Sequence, residues 1–264
     1  MKGRVLIIAG SDSGGGAGIQ ADIKTVTMLD AFAMTAVTAL TAQNTEGVFG
    51  VLPIPPAFIR QQIEIVLDDI GADALKTGML HDAAVIEIVS AVIAERASAV
   101  PLVVDPVMVA KGGSPLIEAG AIDALKRLLV ARAAVLTPNL PEAEILAGHA
   151  ISDLAAMRKT ATELLALGCQ AVLLKGGHLP GDTVYDVLAT ASGLRVWDSP
   201  RIDSRHTHGT GCTLASAIAA GLAQGLAIEP AVERGRLYVQ RAIASAPGLG
   251  HGHGPLDHAH PLRN

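Results

Sequence analysis

The sequence predicts an α/β fold, a three-layer αβα sandwich on a mostly parallel central sheet with an antiparallel hairpin at its edge. Three observations point there. Short apolar runs recur along the chain, continuous rather than alternating, as strands covered on both faces require. Segments with apolar residues at three- and four-residue spacing and interleaved charges separate them, the pattern of half-buried helices. Half of the 264 residues are hydrophobic but only 2% are aromatic, so the core must be built from Ala, Val, Leu and Ile, which suits helices packed closely on a sheet.

Taken in order, the expected strands are "VLIIA" (5–9), "TAVTAL" (35–40), "ADALKTG" (72–78), "PLVVDP" (101–106), "AAVLTP" (133–138) and "QAVLLKGG" (170–177). The expected helices between them cover 19–32, 56–70, 82–97, 119–132 and 152–168. Ser152 or Asp153 is the candidate N-cap of the last of these, and Gly168 its C-terminal stop. Two strand-like runs flanking "ASG" within 183–202 read as the hairpin. Two final helices are expected at about 210–225 and 228–245, and the Gly- and Pro-rich tail after them should lack regular structure. No repeat or long linker divides the chain, so one domain over 1–264 is expected.

The net charge of −5 provides no basic field for a polyphosphate backbone, which argues against nucleic acid as a partner. Cys169 and Cys212 lack C-x-x-C spacing, so neither a disulfide framework nor a structural zinc site is indicated and a reducing, cytoplasmic setting fits. The apolar start is too short for a signal peptide, and no segment has the length of a membrane span.

Polar and glycine-rich segments fall at the carboxyl ends of the expected strands, where open parallel sheets gather ligands. "GSDSGGGAGIQAD" (10–22) has neither a dinucleotide fingerprint nor P-loop spacing. Asp12 within it would repel phosphate, which leaves a small polar ligand or a bare turn. Gln43 carries an amide able to donate and accept at once, matching the edge of an aminopyrimidine ring. Met79 is either a ring platform or core filling. Asp105, in an otherwise apolar strand, needs a metal-bound water or a basic partner. Asn139 and Glu142 either face a shared Mg²⁺ and phosphate site or form a helix cap. Lys175 stands past its strand within reach of a nucleotide phosphate.

Gly209, Thr210 and Gly211 precede a long helix, so their backbone N–H groups and the positive helix end should converge on an anion. Cys212 at that helix start is expected to have a lowered thiol pKa; the alternative is a buried structural thiol. A protease-like pair with His206 or His208 is disfavoured, because so short a sequence separation rarely brings nucleophile and base together.

"AGSDSGGGAGIQADIKT", "TALTAQNT", "KTGML", "VVDPVM", "TPNLPEAE", "LLKGGH", "THGTGCTLASAIAAGLA" and "GHGHGPLDH", in this order, resemble the hydroxymethylpyrimidine and phosphomethylpyrimidine kinases of thiamine biosynthesis, within the ribokinase-like superfamily. The resemblance implies a ribokinase-like domain that transfers the γ-phosphoryl of ATP, with Mg²⁺, to the hydroxymethyl oxygen of the pyrimidine and then to its monophosphate. It implies that Gln43 binds the ring, with Gly10, Asp12, Ala17, Asp22, Met79 and Val107 around it. Asn139, Glu142 and Lys175 would serve Mg–ATP, with Asp105 and Glu142 the candidate metal carboxylates. Gly209, Thr210 and Gly211 would form the anion hole, and Cys212 would stand at the base position.

Two other readings are a pyridoxal kinase of the same superfamily and a non-catalytic binding domain on this fold. The family implies a homodimer, for which the final helices offer an apolar interface. The tail histidines 251, 253, 258 and 260 match no helical ligand spacing, which favours a structured or ligand-adjacent tail over a metal site.

Overall fold

The computed structural model describes residues 1–108, 117–118 and 120–263. Nine strands form one sheet in the order β3-β2-β1-β4-β5-β6-β7-β8-β9. Its parallel centre consists of β1 (Arg4–Asp12), β2 (Phe32–Gln43), β4 (Ala74–Thr77), β5 (Leu102–Val104), β6 (Val135–Leu136) and β7 (Ala171–Lys175). The expected hairpin is β8 (Thr183–Thr190) and β9 (Gly193–Pro200), antiparallel to β7. At the opposite edge β3 (Val48–Pro53) pairs antiparallel with β2, and the sequence reading missed it. Its six residues are largely exposed and include Gly50 and Pro53, so no buried apolar run marks it.

Strand alternation divides the core into two layers. Leu6, Ile8, Leu75, Val104, Leu136 and Leu174 pack under α2 (Pro56–Asp69), α3 (Ala83–Arg96), α5 (Leu140–Ala147) and α6 (Leu154–Leu165). Val5, Ile7, Ala9, Val103, Val135 and Leu173 pack under α1 (Gly18–Met28), α7 (Thr210–Ala223) and α8 (Ile228–Ala244). Burial of both faces is why these strands read as unbroken apolar runs.

Asp82 caps α3 and Asp153 caps α6 through their side chains. The first helix ends earlier than its periodicity suggests, because Asp30 adopts a left-handed φ of 62° and Phe32 already belongs to β2. Of the helix expected over 119–132, Ala119 lies outside the described residues. The rest begins as α4 (Ala121–Ala124) and continues through a π turn and a 3₁₀ turn to Arg132. Beyond α8 the tail is irregular until a 3₁₀ turn at His260–Arg263. It is nonetheless packed on the body, with Asp257, His258 and His260 buried. No helix among the described residues is long and apolar enough to cross a membrane.

β1 leads to β2 on one side, whereas β4 lies on the other. The carboxyl ends of β1 and β4 therefore flank a topological switch point, where a crevice is expected.

Candidate active site

A cavity of about 420 Å³ opens at that crevice. The end of β1 lines it with Gly10 and Asp12 and the loop after it with Ala17, the end of β2 with Gln43, and the segment after β4 with Gly78 and Met79. Asp105 and Val107 follow β5, Asn139 and Glu142 follow β6, and Lys175 ends β7. The first residues of α7, together with Gly209 before it, close the remaining side. Of the residues expected to bind the ring, Mg–ATP or the phosphoryl group, Asp22 alone does not reach this wall.

Asp22 is a correction. It is fully buried, and its carboxylate accepts hydrogen bonds from Lys76 Nζ at 2.8 and 3.0 Å and from Ser216 Oγ at 2.7 Å. It pairs with Lys76 and does not line the cavity. Burial opposes the Lys76 charge, but Asp22 outweighs it and holds the ammonium above its ordinary pKa. The sequence reading passed over Lys76, although a lysine inside an apolar strand carries the same signal as Asp105.

Asp12 sits at the cavity edge with its carboxylate turned inward. It accepts the N–H groups of Gly14, Gly16 and Ala17 at 2.8 to 3.0 Å and lies 3.0 Å from His208 Nε2. The "SGGG" turn is thus an internally satisfied loop. Gln43 reaches His208 as well, at 2.9 Å.

Asp105, 2% exposed, finds the basic partner its burial demands: Lys175 Nζ at 3.2 Å, with Thr137 Oγ1 also donating at 3.2 Å. Burial works against the Lys175 charge, but Asp105 and Glu142 outweigh it and raise its pKa.

The open choice for Asn139 and Glu142 resolves as a capping box. Asn139 Oδ1 accepts the Glu142 N–H at 2.9 Å, and Glu142 Oε2 accepts the Asn139 N–H at 2.8 Å. Both residues still line the cavity. Burial pushes the Glu142 carboxyl up to about 7 against the pull of Lys175.

Helix α7 begins at a left-handed Gly209, φ 80°, with no side-chain cap. A Cβ on Gly209 would sit 1.9 Å from the Gly16 carbonyl oxygen, so space as well as conformation requires glycine here. Thr210 N–H turns back to Thr207 O and Thr213 N–H to Gly209 O. Thr210 thus leaves the expected anion hole, whereas among the described residues the Gly209, Gly211 and Cys212 N–H groups have no protein acceptor, and all three residues line the cavity. Gly211 faces the ion pair, for a Cβ there would lie 3.2 Å from Lys175 Nζ and 3.5 Å from Asp105 Oδ2.

Cys212 corrects the expected lowering of its pKa. Burial pushes the thiol up to about 12, and Asp22 and Asp105 add to the rise against the pull of Lys76. The positive helix end does not offset this loss of solvation. Among the described residues no group of three or more His, Cys, Asp or Glu is arranged to hold a metal ion. His253 of the tail reaches the cavity wall, and the tail is tied to the loop after β2 by His253 N–H donating to Thr45 O at 2.8 Å.

A phosphomethylpyrimidine kinase family model matches residues 12–257. The chain is 52% identical over 257 residues to the thiamine biosynthesis bifunctional protein ThiED of Geobacter sulfurreducens, covering 97% of this chain and 52% of that protein. It thus spans about half the length of that relative. It is 48% identical to a hydroxymethylpyrimidine/phosphomethylpyrimidine kinase of Bacillus subtilis, covering 99% of this chain and 96% of the relative. The crystal structure of an ADP complex of Bacillus subtilis pyridoxal kinase superposes with a TM-score of 0.92 at 37% identity, covering 100% of this chain and 99% of that one.

Proposed function

The chain belongs to the phosphomethylpyrimidine kinase family, and from that premise we propose that it phosphorylates 4-amino-5-hydroxymethyl-2-methylpyrimidine, first at the hydroxymethyl oxygen and then on the resulting monophosphate, with ATP as donor. The observation that carries this reading is the meeting, in one cavity, of an uncapped helix start, the Lys175 ammonium and the Gln43 amide. The first two suit an anion and the third suits a polar ring.

Phosphoryl transfer asks mainly for alignment and charge neutralisation. The Gly209, Gly211 and Cys212 N–H groups donate to the oxygens of the moving phosphoryl group, a role that needs no reorganisation because the helix start already orients them. Lys175 supplies positive charge to the phosphates while Asp105 keeps it extended toward Gly211. Met79 backs the ring, and Gly10 gives it room: a Cβ there would meet Met79 Cε at 2.6 Å. Cys212 acts as a neutral thiol beside the acceptor, since a loose transition state asks little of a base.

The donor set fits magnesium held chiefly by nucleotide phosphates and water, with one or two protein carboxylates, as is usual for this ion. Both carboxylates are candidates, for both line the cavity, Asp105 beside Lys175 and Glu142 within the capping box. When bound, Mg²⁺ would neutralise charge on the phosphates. We also propose that the whole chain is one domain and assembles as a homodimer. Helix α7 is almost wholly buried and α8 exposes Leu237 alone among its large apolar side chains, so the apolar residues of the β2–β3 edge, Leu40, Phe49 and Leu52, all exposed, are the better interface than the final helices. Sedimentation of Leu52→Asp beside wild type checks this, with a monomer expected for the variant.

The experiment that tests the activity measures ATP-dependent phosphorylation of the pyrimidine alcohol, its monophosphate and pyridoxal under one condition. A higher kcat/KM for the pyrimidine is expected. Pyridoxal leading by an order of magnitude would favour the second reading, which the likeness to the Bacillus subtilis pyridoxal kinase structure motivates.

A further inference from the structure

We propose that His208, held by Asp12, orients the Gln43 amide so that its NH₂ group faces the cavity, making the site selective for a ring that presents a hydrogen-bond acceptor there. The inference rests on the pyrimidine reading above and assigns His208 as a positioning residue for it.

Asp12 accepts three backbone N–H groups, from Gly14 on Oδ1 and from Gly16 and Ala17 on Oδ2. Burial opposes its charge, but His208 and these amides outweigh burial and hold the carboxyl below its ordinary pKa. Asp12 is therefore ionised at neutral pH and can only accept. His208 Nε2, 3.0 Å from Oδ2, must carry the proton and donate it, whichever state its other ring nitrogen adopts.

The terminal amide of Gln43 lies 2.9 Å from the same Nε2. A ring nitrogen that holds its proton has no lone pair to offer, so an NH₂ group at that distance would set donor against donor. Amide oxygen and nitrogen exchange places by a half-turn of the group, and the hydrogen-bond network decides between them. Here it requires Oε1 toward His208, sharing the proton with Asp12, and NH₂ toward the cavity. The sequence reading credited Gln43 with donating and accepting at once; in the fold its oxygen is engaged.

Both partners are anchored so that this orientation persists. Ser13 Oγ donates to Gln43 O at 2.7 Å and accepts from Gln43 N–H at 2.9 Å. His208 backbone N–H donates to Gly254 O at 3.1 Å, which ties the main chain carrying the imidazole to the tail "GHGHGP". The ring fits because residue 16 is glycine: a Cβ there would stand 2.6 Å from His208 Cδ2. A rigidly presented NH₂ pairs with a ring nitrogen lone pair and is left unpaired by a ring C–H, which is the stronger form of discrimination.

The test uses the full-length enzyme, with the pyrimidine alcohol and a pyridine analogue in which C–H replaces the ring nitrogen that would accept. Wild-type turnover of the pyrimidine is scored first, and its absence overturns the functional reading itself. Given turnover, Gln43→Glu is decisive because a carboxylate can only accept. It should raise KM for the pyrimidine about tenfold, as Gln43→Ala should too, with kcat and the KM for ATP much less changed. His208→Phe should raise the same KM and erase the preference for pyrimidine over the pyridine analogue, and His208→Gln, which restores a donor, should recover it. Wild-type-like binding by Gln43→Glu would overturn the orientation, and so would a retained ring preference in His208→Phe. If His208→Phe does not fold, the Gln43→Glu result still decides.

Discussion

Lys175 Nζ, at the end of β7, lies 3.2 Å from Asp105 Oδ1, which follows β5 seventy residues earlier in the chain. Neither residue has a charged partner in its own segment. The side-by-side placement of β5, β6 and β7 creates the pair, to which the proposed function adds a part in phosphate binding. Lys175→Ala should therefore show two losses: a KM for ATP raised at least tenfold, and destabilisation of about 3 kcal/mol from stranding a buried carboxylate. Chemical denaturation and steady-state kinetics on one preparation check both. Lys175→Ala paired with Asp105→Asn should recover much of the stability but not the ATP binding.

With its thiol raised to about 12, Cys212 is protonated at neutral pH. Cys169, raised to about 11 by burial, is protonated too. Native protein at pH 8 should thus react with iodoacetamide far more slowly than denatured protein at both positions, as mass spectrometry will report. Cys212→Ser should keep kcat within about tenfold, since the position supplies a contact rather than a strong base.

Gly209 and Gly211 should fail differently when substituted. Gly209→Ala forces a Cβ into the Gly16 carbonyl at a left-handed φ, so destabilisation of about 2 kcal/mol or more is expected in thermal or urea unfolding. Gly211→Val places its branches against Lys175 and Asp105. It should lower kcat/KM by about a hundredfold with a smaller effect on stability, because misalignment near the reacting atoms is costly to rate.

His258 links the tail to acid stability. It is buried beside Thr213, Oγ1 to Nε2 2.9 Å, and burial lowers its pKa from 6.5 to about 4. The unfolded chain therefore binds the proton more readily than the folded one between those values. The contribution to stability is complete above pH 6.5 and is lost as pH falls toward 4, by up to about 3 kcal/mol. Urea midpoints at pH 7 and pH 4.5 should show this loss for wild type. The difference between the two pH values should shrink in His258→Asn, a comparison that isolates this residue from Glu142, whose raised pKa acts in the opposite sense.

Much of the architecture was legible because burial leaves a one-dimensional trace. "VLIIA" reads as a strand since residues 5, 7 and 9 face one helical layer and 6 and 8 the other. Strand β3 left no such trace, being an exposed edge. The loops at the strand ends were legible through their glycines and isolated polar residues, and all but Asp22 of the residues chosen from them meet at the cavity. Lys76 could have been found by the argument applied to Asp105. The His208 link to Gln43 and Asp12 could not, because it joins the ends of β1 and β2 to the segment before α7, all distant in sequence.

By itself the sequence determined the order of strands and helices, the faces they bury and the loops that gather at one end of the sheet, because periodicity and turn chemistry act between near neighbours. Only the tertiary structure decided which charges pair, which groups lose solvent and hence which hold their protons: Lys175 with Asp105, Lys76 with Asp22, and Cys212 as a thiol. Coulomb energy and desolvation depend on distance through space and on the water excluded around a group, and separation along the chain specifies neither.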